Sequence, residues 1–160
     1  MAINRMILLA SAALLAAPAG AQMVTAKDPQ VIAAFLKEKA YKAELTQKPE
    51  GPYIRSSDSG TSFTIFFMNC SGGKDCSTIQ FFNGYNDIDN VPLIRINEWN
   101  KTRRFARAYI DDAPDPVLEM DMDLDHGGVP KASFAENFDI WLDLVAAYRK
   151  FLTEPGGGKK

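Results

Sequence analysis

Few side chains in this sequence have the type and spacing to do chemistry. There is one histidine, His126, and there are two cysteines, Cys70 and Cys76. His126 follows the acidic run Asp121-Met122-Asp123-Leu124-Asp125, so the carboxylate of Asp123 or Asp125 beside the imidazole would make an acid-base pair able to move a proton in a small enzyme or ligand-binding module. No serine, cysteine or carboxylate stands at a spacing from His126 that marks a nucleophile, and the pair rests on closeness in sequence alone. The same run invites calcium, because aspartates at alternate positions open an EF-hand loop. Counted from Asp121, however, the position that needs glycine holds His126 and the one that needs a bidentate glutamate holds Ala132. Alternation with Met122 and Leu124 reads instead as the polar face of a strand, with no metal expected. Two cysteines cannot close a zinc site, and their spacing is wider than the Cys-x-x-Cys of a redox helix. No phosphate loop is present either. The expectation is therefore a non-enzymatic protein with no catalytic residue and no cofactor.

Composition points the same way. The chain has 160 residues, 46% of them apolar and 10 of them Phe, enough for one domain with a proper core. Residues 1–21 read as a signal peptide: Arg5 makes a positive start, residues 7–17 form an apolar run, and Ala19-Gly20-Ala21 offers a small-residue cleavage site before Gln22. The apolar run is shorter than the roughly 20 residues needed to span a bilayer, so no stable membrane insertion is expected after cleavage. With a bacterial source assumed, the destination is the periplasm or the medium. Removing Arg5 leaves 17 basic against 20 acidic residues, a net charge of −3, which is no footprint for nucleic acid. The expected division is a signal peptide (1–21), one domain (22–154) and a disordered Gly-Lys tail (155–160).

Periodicity supplies the elements that would position these residues. Asp28-Pro29 caps a helix whose apolar positions are Val31, Ile32, Phe35 and Leu36, ending near Tyr41. Short extended pieces over 43–47 and 52–57 lead to the strongest strand, 61–70, rich in Phe, Ile and Thr. Placing Cys70 opposite Cys76 sets Phe67 against Ile79 and Ile65 against Phe81 on one face of a hairpin. Met68 then meets Thr78, and Phe66 meets Gln80, on the other. A one-residue slip would destroy that match, so the register that buries the core also brings the sulfurs together. In an exported protein the pair reads as a disulfide.

A second helix is expected from 91–92, capped by Asp89 or Asn90, with Leu93, Ile96, Trp99 and Ile94 towards the sheet. Residues 97–111 then pass from helix to strand with almost no linker. Pairing 105–111 with 117–124 aligns Ile110 with Leu118, Ala108 with Met120 and Arg107 with Asp121. Gly127-Gly128-Val129-Pro130 is a turn. Ser133-x-x-Glu136 reads as a capping box opening a last helix with Phe134, Phe138, Trp141, Val145 and Tyr148 on one face.

With these elements in place the chain resembles the YbjN family, a group labelled bacterial sensory transduction regulators. The residues that carry the resemblance are Asn97-Glu98-Trp99-Asn100, Arg104-Phe105-Ala106-Arg107-Ala108-Tyr109, the acidic strand through Asp121 and Asp123-Leu124, Gly127-Gly128-Val129 and Trp141. The resemblance covers 28 to about 152. It implies an α+β fold similar to type III secretion chaperones: an antiparallel sheet with packed helices, ordered α, three or four β, α, β, β, α. It also implies an interaction protein, with a homodimer as one assembly, an unknown protein or peptide as partner and no established catalytic residues. Hairpin register places the expected binding surface at Phe66, Met68 and Phe82, turned away from Ile65 and Phe67; the first or last helix covering that face is the competing expectation.

Overall fold

The computed structural model describes residues 22–154. The expected signal peptide and tail lie outside the described residues. In chain order the elements are β1 (Met23–Val24), α1 (Pro29–Glu38), β2 (Glu44–Thr46), β3 (Tyr53–Asp58), β4 (Thr61–Met68), β5 (Thr78–Gly84), α2 (Leu93–Thr102), β6 (Arg107–Ile110), β7 (Pro116–Asp123), β8 (Val129–Pro130) and α3 (Lys131–Thr153). One antiparallel sheet runs β2-β3-β4-β5-β7-β6, and β1 pairs with β8 apart from it. The fold is α+β with the expected order of helix, four strands, helix, two strands and helix; the β1–β8 pair is an addition. No described helix is long and apolar enough to cross a membrane.

Helix α1 begins as its sequence dictates. The Asp28 carboxylate accepts from the Gln30 N–H at 3.0 Å, with Pro29 in the first turn. It ends earlier than Tyr41, because Ala40 adopts a left-handed φ of 64° while Tyr41 N–H donates to Leu36 O and Ala40 N–H to Lys37 O. This is a Schellman closure with alanine in the position that favours glycine.

The β4–β5 hairpin has the expected register, Phe67↔Ile79 and Ile65↔Phe81 on the core face and Phe66↔Gln80 and Met68↔Thr78 on the other. Cys70 and Cys76 form a disulfide. It closes a loop of few residues, so it contributes only about 2 kcal/mol. The core forms on one face of the sheet, where Phe138 of α3 lies 6.0 Å from Phe63 and Trp141 stacks on Phe81 at 5.5 Å. Phe35 of α1 meets Phe134 edge-on at 4.9 Å, and Trp99 of α2 meets Tyr148 at 4.7 Å. All three helices thus pack together on this side.

Four local expectations are corrected. Helix α2 starts at Leu93 without a side-chain cap from Asp89 or Asn90; Asn90 instead takes a left-handed φ of 57° in the preceding turn. Leu93 and Ile94 are 68% and 65% exposed rather than facing the sheet. Arg95 occupies the inward position, its guanidinium 4.1 Å from the Phe151 ring centroid. The corner from α2 to β6 has a real linker, residues 103–106, because Phe105 turns at φ 72° and is exposed. Strands β6 and β7 pair two residues away from the expected register, Ala108↔Leu118 and Arg107↔Glu119. The cause is a tighter loop: Asp111 Oδ1 accepts from the N–H groups of Ala113 and Asp115, closing the turn at 111–115. A shift of two preserves which side chains face the core.

The Ser133–Glu136 capping box does not form, since α3 begins at Lys131. Its first amide donates instead to Gln22 O, at 2.8 Å, where β1 lies against β8. That contact explains Gly128. Gly128 has φ +79°, and a Cβ there would sit 2.0 Å from the Val24 carbonyl oxygen.

Candidate functional site

Alternation along the strands gives the sheet a second face that none of the described helices covers. A row crosses all six strands on it: Glu44, Arg55, Thr64, Phe82, Glu119 and Arg107, each directly paired with the next. The next row contains Tyr53, Phe66, Gln80 and Asp121. The face therefore has an aromatic centre, one charged flank on β2–β3 and another on β6–β7.

Phe66, Met68 and Phe82, expected from the hairpin register, do share this face. Phe66 and Phe82 meet at 5.7 Å between ring centroids, and Met68 is 43% exposed. Tyr53, which sequence reading missed, extends the cluster at 6.1 Å from Phe66 and lines with Phe66 and Met68 a depression of about 260 Å³. The Lys48 ammonium lies 5.2 Å from the Tyr53 centroid and the Arg55 guanidinium 5.4 Å, so cations rim the apolar centre on that side. Tyr53 could have been found only from the β3–β4 register, and the turn between those strands carries no cysteine pair to pin it.

On the opposite flank Arg107 is bonded to two carboxylates. Its Nε donates to Glu119 Oε2 at 2.9 Å and its Nη1 to Asp121 Oδ2 at 2.8 Å. Tyr109 donates its hydroxyl to Glu119 Oε1 at 2.7 Å, and Gln80 Nε2 donates to Asp121 Oδ1 at 2.9 Å. Glu119 is only 5% exposed, so Arg107 and Tyr109 supply the donors a buried carboxylate needs. Burial first, and the bond to Glu119 second, push the Tyr109 phenol up to about 12. Glu119 was missed in the sequence because the two-residue register shift put Asp121 in its place. This network is structural polar packing and contains no unpaired nucleophile.

The remaining expected residues are dispersed. Trp99 and Trp141 are fully buried in the core. Asn100 holds Ala108 of β6 at the corner, Arg104 lies 5.0 Å over the exposed Phe105 ring, Gly127 lies in the turn after β7, and Gly128 lies against Val24 of β1. His126 lies in the turn after β7 with its side chain 96% exposed, 3.9 Å from an Asp125 oxygen. One oxygen of Asp123 accepts from Asp125 N–H and one of Asp125 accepts from His126 N–H, so both carboxylates serve the turn. Among the described residues no three of His, Cys, Asp and Glu come together as metal ligands.

A search of curated proteins and a search of solved structures each returned no match. A family model, YbjN, described as "Putative bacterial sensory transduction regulator", matches residues 28–154. That span holds all three helices and the whole six-stranded sheet. The chain belongs to the YbjN family.

Proposed function

We propose that this protein is an exported, non-enzymatic regulator-like module that binds another protein or peptide through the uncovered face of its sheet, around Phe66, Met68 and Phe82. The observation that carries this reading is the aromatic cluster left on a face without a helix: Tyr53, Phe66 and Phe82 in ring contact beside an exposed Met68. An apolar centre with cationic and acidic flanks suits a segment that supplies apolar anchors to the middle and polar groups to the rim. The family description, a regulator, agrees with binding rather than turnover. Export is supported by the charge, apolar and small-residue pattern of residues 1–21, and periplasmic placement by a disulfide that an oxidising compartment would maintain.

The test is affinity capture from periplasmic extract with the native protein, a Phe66→Asp variant and a Met68→Asp variant, each checked for folding by circular dichroism. Partners captured by the native protein are lost from both folded variants. An unchanged partner set would remove the sheet face from the account.

A further inference from the structure

The stretch that carries the family resemblance contains two side chains with no task in the fold. Trp99 is fully buried, Asn100 bonds the Ala108 backbone, and Arg107 and Tyr109 hold Glu119. Arg104 and Phe105, in the linker between α2 and β6, do none of this. Phe105 is 61% exposed, and its backbone is left-handed at φ 72°. A bulky residue is an outlier in that region, and an outlier that buries little points to function rather than to stability.

The same corner concentrates unpaired positive charge. Lys101, Arg103 and Arg104 are exposed, and none forms an ion pair among the described residues. The Arg104 guanidinium lies 5.0 Å from the Phe105 ring centroid, and the Arg103 guanidinium 5.3 Å from that of Trp99. Of the acidic groups beside the corner, Glu98 on α2 lies 4.0 Å from Arg95, and Asp121 on β7 accepts from Arg107 and Gln80. The chain as a whole has a net charge of −2, so this cluster is a local field of opposite sign. Because β6 is an edge strand, the corner stands at the rim of the sheet.

An exposed phenyl ring among cations fits a surface that is apolar just beneath a layer of negative charge, the arrangement of a bilayer with anionic headgroups. An acidic peptide would match the cations and leave the ring without an apolar layer. We propose that the 101–105 corner attaches the protein reversibly to anionic phospholipid bilayers, with Phe105 at the acyl boundary and Lys101, Arg103 and Arg104 on the phosphates. The attachment is peripheral, since each cation adds about fivefold to the partition and one phenyl ring about tenfold.

Sedimentation with vesicles tests this, using the chain from Gln22 onward, which contains every described element, with folding checked by circular dichroism. Vesicles of phosphatidylglycerol and phosphatidylcholine bind it about tenfold more tightly than phosphatidylcholine alone, and raising salt from about 0.1 M to about 0.5 M weakens the binding. Phe105→Asn, whose side chain tolerates the left-handed backbone, keeps or raises the urea midpoint and binds about tenfold more weakly. Arg104→Gln binds about fivefold more weakly, while Phe66→Asn, the same exchange on the open sheet face, leaves binding unchanged. No binding to the mixed vesicles, equal binding to phosphatidylcholine alone, undiminished binding by either folded corner variant, or a loss caused by Phe66→Asn instead would overturn the proposal. None of those results would bear on the capture experiment.

Discussion

The Asn100 side chain treats Ala108 as a neighbouring strand would. Its Nδ2 donates to the Ala108 carbonyl at 2.9 Å, and its Oδ1 accepts the Ala108 N–H at 2.8 Å. Ala108 lies on β6, an edge of the six-stranded sheet, so one carboxamide satisfies a backbone pair that would otherwise be open to another chain. It also ties the last turn of α2 to the sheet across the linker. Asn100→Ala therefore costs about 1–3 kcal/mol, read as a lower urea midpoint. Asn100→Asp keeps the acceptor, loses the donor and falls between the two.

The Arg107–Glu119 pair makes a second stability prediction. Removing Arg107 leaves a carboxylate that is 5% exposed with one donor, from Tyr109. Because the Arg107 side chain is itself 58% exposed, the loss should fall below that of a fully buried pair, at about 2 kcal/mol. Arg107→Ala combined with Glu119→Gln costs less than the sum of the single changes, and a double-mutant cycle in urea measures the difference.

Gly128→Ala should be severe for so small a change. It places a methyl group on the Val24 carbonyl at a left-handed φ, so either β1 leaves β8 or the turn refolds. The expected loss is about 2–4 kcal/mol by chemical denaturation. Gly127→Ala, which meets nothing within 4 Å, costs only the conformational term, about 1–2 kcal/mol.

Stability should fall at alkaline pH. Burial raises Tyr85 and Tyr148, and burial with the Glu119 bond holds Tyr109 at about 12 against an ordinary 10.0. The unfolded chain then loses phenolic protons before the folded one does. The stabilisation is complete below pH 10 and is lost as pH rises from 10 through about 12. Urea midpoints between about pH 8 and about pH 11 record the slope, and Tyr109→Phe flattens it.

Much of this was legible in the sequence where a local rule and a core requirement agreed. The β4–β5 hairpin carried both a cysteine pair and matching apolar faces, and its register is as expected. Asp28 and Pro29 likewise capped the helix they announced. What escaped was set by contacts distant in sequence. The capping box of α3 gave way to a bond from Lys131 to Gln22, 109 residues away in the chain. Arg95 displaced Leu93 from the inward face of α2 because Phe151 offered its ring. The β6–β7 register slipped because Asp111 closed a tighter loop than its prolines suggested. Of the binding face, Phe66, Met68 and Phe82 followed from one hairpin, whereas Tyr53 and Glu119 needed registers that no local signal pinned.

The central claim is that partners dock on the uncovered sheet face, and photo-crosslinking from single positions tests it most directly. A photoreactive residue at Met68, expressed with export to the periplasm, should form covalent adducts with a partner, and the same probe at the still more exposed Ile94 on α2 should not. Adducts from Ile94 with none from Met68 would contradict the account and move the binding surface to the outer face of α2.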